Sequence, residues 1–206
     1  MSRIKILYKQ FGLGVFNHLI KSALRRFGLI YETLLVFEKH LNYEDINNRL
    51  SKIDISNVKR LTLADFEFLS ELNQTRKELY KKRIEDGSYI VFGIFNNNKL
   101  VYYSWVSLIN IGLPFGFENK IKLDKNQALL EGAFCDPNYR GLGYHSKVNL
   151  VRQKAILDTG RTKAKVLVIK GNTPAIKVQL KSDFIISNKI VLHKIFNKEY
   201  IKIQKN

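Results

Sequence analysis

Apolar positions in the first forty residues recur at helical spacing. Phe16, Leu19, Ile20, Ala23, Leu24 and Phe27 lie three and four apart, which places them on one helix face. Lys21, Ser22, Arg25 and Arg26 fall largely on the other. Gly28 interrupts the pattern, and residues 31–40 resume it with Leu34, Leu35 and Phe37, so a helical segment is expected over residues 4–41. Residues 46–56 read as a polar connector.

From Asn57 onward strands and helices alternate. Residues 58–63 suggest a strand, 64–72 a helix, and 75–86 a charged helix that Gly87 ends. Two aromatic and β-branched runs, 89–95 and 99–108, are joined by Asn96, Asn97 and Asn98. That is a hairpin signal, because Asn tolerates left-handed backbone angles. A loop at 112–116 precedes a strand at 127–135. A helix at 144–157, a strand at 165–170, a helix at 174–181 and strands at 185–196 and 200–203 complete an α/β chain. No internal repeat or low-complexity tract interrupts it.

Charge changes this picture more than composition does. The net charge is +17, carried as +5 on residues 1–41, zero on 42–119, +3 on 120–160 and +9 on 161–206. An excess at both ends favours anionic partners: nucleic acid, a membrane surface or a phosphorylated small molecule. A lysine-rich solvated surface with no partner explains it equally well. The single Cys135 excludes an internal disulfide and a cysteine-rich zinc site, and fits a reducing compartment. No apolar run reaches the roughly 18 residues of a membrane span. The start lacks the apolar core and cleavage site of a signal peptide, so a cytoplasmic location is expected. His18, His40 and His193 have no partners at metal-ligand spacing, and no metal site is expected.

Chemistry concentrates where the strand at 127–135 meets the helix at 144–157. Pro137 cannot continue strand pairing, since it has no N–H to donate. Gly141 and Gly143 let backbone N–H groups converge on an anion, and the helix adds the positive end of its dipole. Arg140 supplies a charged donor suited to phosphate. The same residues also describe an ordinary glycine turn beside an exposed arginine.

The run Ala133-Phe-Cys-Asp-Pro-Asn-Tyr-Arg-Gly-Leu-Gly-Tyr144 resembles the coenzyme A loop of the GNAT superfamily of N-acetyltransferases. Downstream, Asn172-Thr-Pro-Ala175 and the run to Asp183-Phe184 resemble that superfamily's second signature, and one helix and one strand separate the two, as in the family. The resemblance covers residues 57–206 and leaves residues 1–56 as a basic helical extension and connector. It implies a mixed, mostly antiparallel central sheet flanked by helices.

The activity so implied is direct transfer of an acetyl group from acetyl-CoA to a primary amine on a small acceptor, an amino sugar or amino-acid derivative. Coenzyme binding would fall to Phe134, Cys135, Arg140, Gly141, Leu142, Gly143, Tyr144, His145 and Asn172, and Glu131 would act as general base. Side chains at Phe134 and Cys135 could equally do no more than pack, Glu131 could pair with a cation, and Asn172 could serve only as a helix cap. Tyr102, Tyr103 and Trp105 could line the acceptor side or fill the core. His145 stands where the family has a small residue, Gln179 where many members carry the tyrosine that protonates the thiolate, and Asp183 where they carry glycine.

A second reading stays open, a noncatalytic basic protein of the same fold that binds nucleic acid or an anionic surface. No nucleic-acid motif accompanies the charge, so that partner is not expected. The apolar face of residues 16–27 is expected to be buried on its own chain or on a second subunit in a homodimer. Peripheral contact of residues 1–41 with the inner membrane face is the alternative.

Overall fold

The computed structural model describes residues 15–72 and 76–205. The expected helical start at 4–14, the first residue of the 75–86 helix and the side chain of His18 lie outside the described residues. In chain order the elements are α1 (Val15–Arg26), β1 (Leu29–His40), α2 (Tyr43–Leu50), β2 (Val58–Arg60), α3 (Phe66–Leu72) and α4 (Lys77–Glu85). Then follow β3 (Tyr89–Asn96), β4 (Lys99–Ser107), β5 (Asn110–Gly112), β6 (Lys120–Lys122), β7 (Gln127–Cys135) and α5 (Tyr144–Asp158). The chain ends with β8 (Lys163–Ile169), α6 (Thr173–Lys181), β9 (Ile185–Ile195) and β10 (Lys198–Lys205).

These elements form two compact units. The first holds residues 15–39, Gly112–Lys120 and 165–205; the second holds residues 40–111 and 121–164. In the first unit the strand order is β10, β9, β1, β8. β1 runs antiparallel to β9 with Tyr31 opposite His193 and Leu34 opposite Ile190, and β9 and β10 form a hairpin. Leu34, Val36, Phe37, Phe184, Ile190 and Leu192 are among its buried side chains.

Two expectations are corrected here. Residues 29–40 form a strand rather than the second half of a helix. Gly28, at φ +74°, ends α1, and the strand carries Leu34, Leu35, Val36 and Phe37 buried on both of its faces. A strand covered on both sides has no alternation, so its continuous apolar run imitates helical spacing. Of the two burials expected for the apolar face of α1, on its own chain or on a second subunit, the first is not found: Phe16 and Phe27 are each 71% accessible, and Leu19, Ile20 and Leu24 also face solvent. The reason is that Lys21 and Arg25, on the opposite face, bind the buried Glu32 carboxylate of β1.

In the second unit β7, β4, β3 and β2 pair in that order, and all three pairings are antiparallel. Asn97 and Asn98, at φ +49° and +60°, make the two-residue turn between β3 and β4. Tyr103 and Trp105 of β4 pack with Tyr80 of α4, and the Tyr80 and Tyr103 hydroxyls meet at 2.7 Å. Such aromatic pairs contribute about 0.5–1.5 kcal/mol each beyond the area they bury. The expected connector at 46–56 begins instead inside α2. Asn42 caps that helix by accepting from the Glu44 N–H at 2.7 Å, and Ile46 is its fully buried residue.

Candidate active site

The second unit carries the glycine loop. β7 leads into it through a bulge: Tyr103 pairs with Phe134 and Trp105 with Glu131, so Ser104 alone opposes both Gly132 and Ala133. The bulge needs a left-handed residue, and Gly132 has φ +60°. A Cβ there would lie 3.1 Å from the Trp105 ring. Beyond the bulge the strand opens to solvent, with Gly132 and Ala133 exposed and Phe134 and Cys135 half-buried.

Asp136 turns the chain. Its Oδ1 accepts from the Asn138 N–H at 3.0 Å and its Oδ2 from Lys99 Nζ at 2.9 Å. The Lys99 hydrogen bond holds the Asp136 carboxyl below the usual carboxylate range. A short 3-10 turn, Pro137–Tyr139, then delivers Arg140 to the surface with an extended backbone. Gly141 and Gly143 follow at φ +86° and +74°, and a Cβ on either would meet no atom within 4 Å. Gly143 is the residue before α5. No side chain caps that helix, and no acidic residue sits in its first turn. Arg140, Gly141, Leu142 and Gly143 are all exposed. The helix end, its dipole and one guanidinium thus face open space suited to a phosphate.

His145 is the second residue of α5. Its Nδ1 lies 2.9 Å from the hydroxyl of Tyr102, a β4 residue buried to 2% exposure. The residue as a whole is exposed, and its Nδ1 edge faces the buried Tyr102 hydroxyl. Desolvation there, reinforced by the Arg152 guanidinium, pushes the His145 pKa down to about 4. The ring is therefore neutral at pH 7. Burial also raises the Tyr102 pKa, so its hydroxyl keeps its proton. Arg152 itself is buried, donating from Nη1 to the Trp105 carbonyl at 2.9 Å and from Nη2 to Asn149 Oδ1 at 3.1 Å.

Glu131 pairs with Arg83 of α4 at 3.0 Å, and each side chain is less than one-fifth exposed. The Arg83 guanidinium also lies over the Tyr89 ring, 4.7 Å from its centroid. Burial pushes the Cys135 thiol up, which leaves it protonated and a poor nucleophile at neutral pH. Phe134 stacks on Tyr103 at 5.6 Å between ring centroids. Tyr103 and Trp105 are buried core residues, and Tyr102 alone of the three reaches the loop.

Asn172 and Gln179 belong to the first unit. Asn172 caps α6, its Oδ1 accepting from the Ala175 N–H at 3.3 Å, and Pro174 stands at the second helical position rather than the first. Gln179 is buried. Asp183, in place of a glycine, holds φ +63°. Among the described residues no group of three metal-ligating side chains forms a metal site.

Sequence reasoning allowed a cation beside Glu131 without naming Arg83, and it missed the Tyr102–His145 contact and Arg152. Arg152 carried a signal: it shares a helix face with Val148 and Ile156, where a lone cation calls for a buried partner.

No protein-family model matches the chain, and no curated protein matches it. Solved structures do. An acetyltransferase assigned to the GNAT family of Novosphingobium aromaticivorans is similar over 86% of this chain and 67% of its own, at TM-score 0.57 and 13% identity. A tandem GNAT protein from the clavulanic acid biosynthesis pathway is similar over 80% of this chain, at TM-score 0.56 and 14% identity. The glucosamine N-acetyltransferase region of a fungal multi-domain β-N-acetylglucosaminidase is similar over 87% of this chain, at TM-score 0.53 and 11% identity. The chain spans about half the length of the tandem protein and 23% of the fungal one.

Proposed function

The chain has the GNAT fold, and from that premise we propose that it is an N-acetyltransferase that uses acetyl-CoA to acetylate a primary amine on a small acceptor. The observation that carries this reading is the loop at 140–143. Two left-handed glycines, an uncapped helix start and an exposed arginine stand together after a bulged strand. A pyrophosphate needs such a cradle: converging N–H donors, no Cβ in the way, and one charged fork.

In this reading Arg140, Gly141, Leu142, Gly143, Tyr144 and His145 hold the coenzyme's phosphates. The backbone of Phe134 and Cys135, past the Gly132 bulge, pairs with the pantetheine arm and polarises the thioester carbonyl. His145 adds a neutral hydrogen-bonding group rather than a charge. Asn172 serves as the α6 cap.

During transfer the acceptor amine loses a proton and attacks the thioester carbon, the carbon–sulfur bond breaks, and coenzyme A leaves as its thiol. Glu131 is the carboxylate on β7 and takes the role of base, through water and in competition with its Arg83 partner. Gln179 has no titratable proton, so the thiolate takes its proton from elsewhere. An amino sugar is the favoured acceptor, supported by the glucosamine-directed relative. An acceptor screen scored by free thiol release tests this. Release with amino sugars is the expected result; thiol release only with peptides or polyamines would contradict the acceptor class.

A further inference from the structure

Helix α1 is mounted with its charged side inward and its apolar side outward. Lys21 and Arg25 are four residues apart, hence on one face. Lys21 Nζ reaches Glu32 Oε1 at 2.8 Å and Arg25 Nη2 reaches Oε2 at 2.9 Å. Glu32 is buried in β1, so this ion triad pins the polar face of the helix to the strand. The opposite face, with Phe16, Ile20, Leu24 and Phe27, is left in solvent.

That surface continues past the helix. The Phe196 N–H donates to the Gly28 carbonyl at 2.9 Å, which sets the β9–β10 turn beside the end of α1. There Ile195 and Phe196 are also exposed. Six large apolar side chains therefore project from one corner of the first unit. A monomer rarely leaves such a cluster in water without a use for it.

Charge decides what covers it. Residues 1–31 contain six Lys and Arg and no Asp or Glu. The acids around it are already bound, Glu32 to Lys21 and Arg25 and Glu199 to Lys194, while Arg26 and Lys198 stay exposed beside the apolar cluster. A second copy would bring the same cations to the rim. An anionic bilayer supplies opposite charge at headgroup level and hydrocarbon below it.

We propose that α1 and the β9–β10 turn dock this chain on an anionic membrane surface, with α1 lying in the interface and Phe16, Ile20, Phe27 and Phe196 entering the acyl boundary. The chain rests on the bilayer and does not span it: among the described residues no helix is long and apolar enough to cross. Docking is independent of acyl transfer.

The test is flotation of the full chain with vesicles of phosphatidylglycerol and phosphatidylcholine, beside Ile20→Ser, Phe27→Ser and Phe196→Ser. All three positions are exposed, so folding is retained and is checked by circular dichroism. The expected result is flotation at low salt, weakened by high salt and by pure phosphatidylcholine. Each substitution should lower partitioning about tenfold. A chain that stays in the soluble fraction on anionic vesicles would overturn the proposal, and so would serine variants that float as the parent does. A dimer in light scattering that the same substitutions dissociate, without vesicle binding, would assign the face to a second copy instead.

Discussion

Tyr102 Oη lies 2.9 Å from His145 Nδ1, joining the buried middle of β4 to the first turn of α5. The contact fixes the imidazole where the glycine loop opens, and desolvation lowers its pKa to about 4, so the ring is uncharged at pH 7. The loop's positive character therefore comes from Arg140 and the helix end, not from the histidine.

The His145 titration is directly measurable. Ring carbon and proton shifts followed by NMR should show a midpoint near 4. The sign for stability follows from linkage. The unfolded chain takes up this proton as pH falls below about 6.5 and the folded chain only near 4, so stability drops across that window. In His145→Gln the urea midpoint should depend less steeply on pH between 6.5 and 4; an unchanged slope would remove His145 as the cause.

Gly143→Val should keep the fold and lose coenzyme affinity. A branched residue at φ +74° costs about 1–2 kcal/mol, and thermal unfolding should show no more than that. The open space around Gly143 means a side chain there blocks an incoming ligand rather than the protein itself. Unchanged affinity for acetyl-CoA would put the phosphate cradle elsewhere.

Glu131→Gln should lower turnover while leaving coenzyme affinity nearly unchanged. It also strips Arg83 of its carboxylate, so a stability loss of about 1–3 kcal/mol should accompany it. Steady-state kinetics beside denaturant unfolding separates the two effects. Turnover within about twofold of the parent, well under the 10²–10⁴ of a general base, would leave Glu131 only its structural pairing.

Glu32→Gln should loosen α1. Two cations, each about one-fifth exposed, would lose their shared carboxylate, at a cost of about 1–3 kcal/mol. Hydrogen exchange should then rise across Val15–Arg26 and leave α5 unchanged. Equal protection in parent and variant would contradict the triad's role.

Local patterns were legible and long-range ones were not. The Asn97–Asn98 turn and the glycine loop each lie within ten residues, where turn chemistry shows directly. β1 was not legible, because a strand buried on both faces has no alternation to separate it from a helix. The outward face of α1 was hidden for another reason: periodicity shows which side is apolar, not which side the chain turns inward. That choice was made by Glu32, whose pairing with Lys21 and Arg25 no spacing announces. The site's cross-links share the difficulty, since Tyr102–His145 and Arg152–Trp105 join positions 43 and 47 residues apart. Asp183 departs from the glycine of the resembled signature, and its φ of +63° is the left-handed conformation that a glycine adopts freely.

Acetyl-CoA is proposed to bind at the loop from Arg140 to Gly143. Isothermal titration of acetyl-CoA into the folded parent chain and into Gly143→Val tests it most directly. The expected result is one saturable site on the parent and its loss in the variant. A folded parent that takes up no acetyl-CoA at millimolar concentration would contradict it.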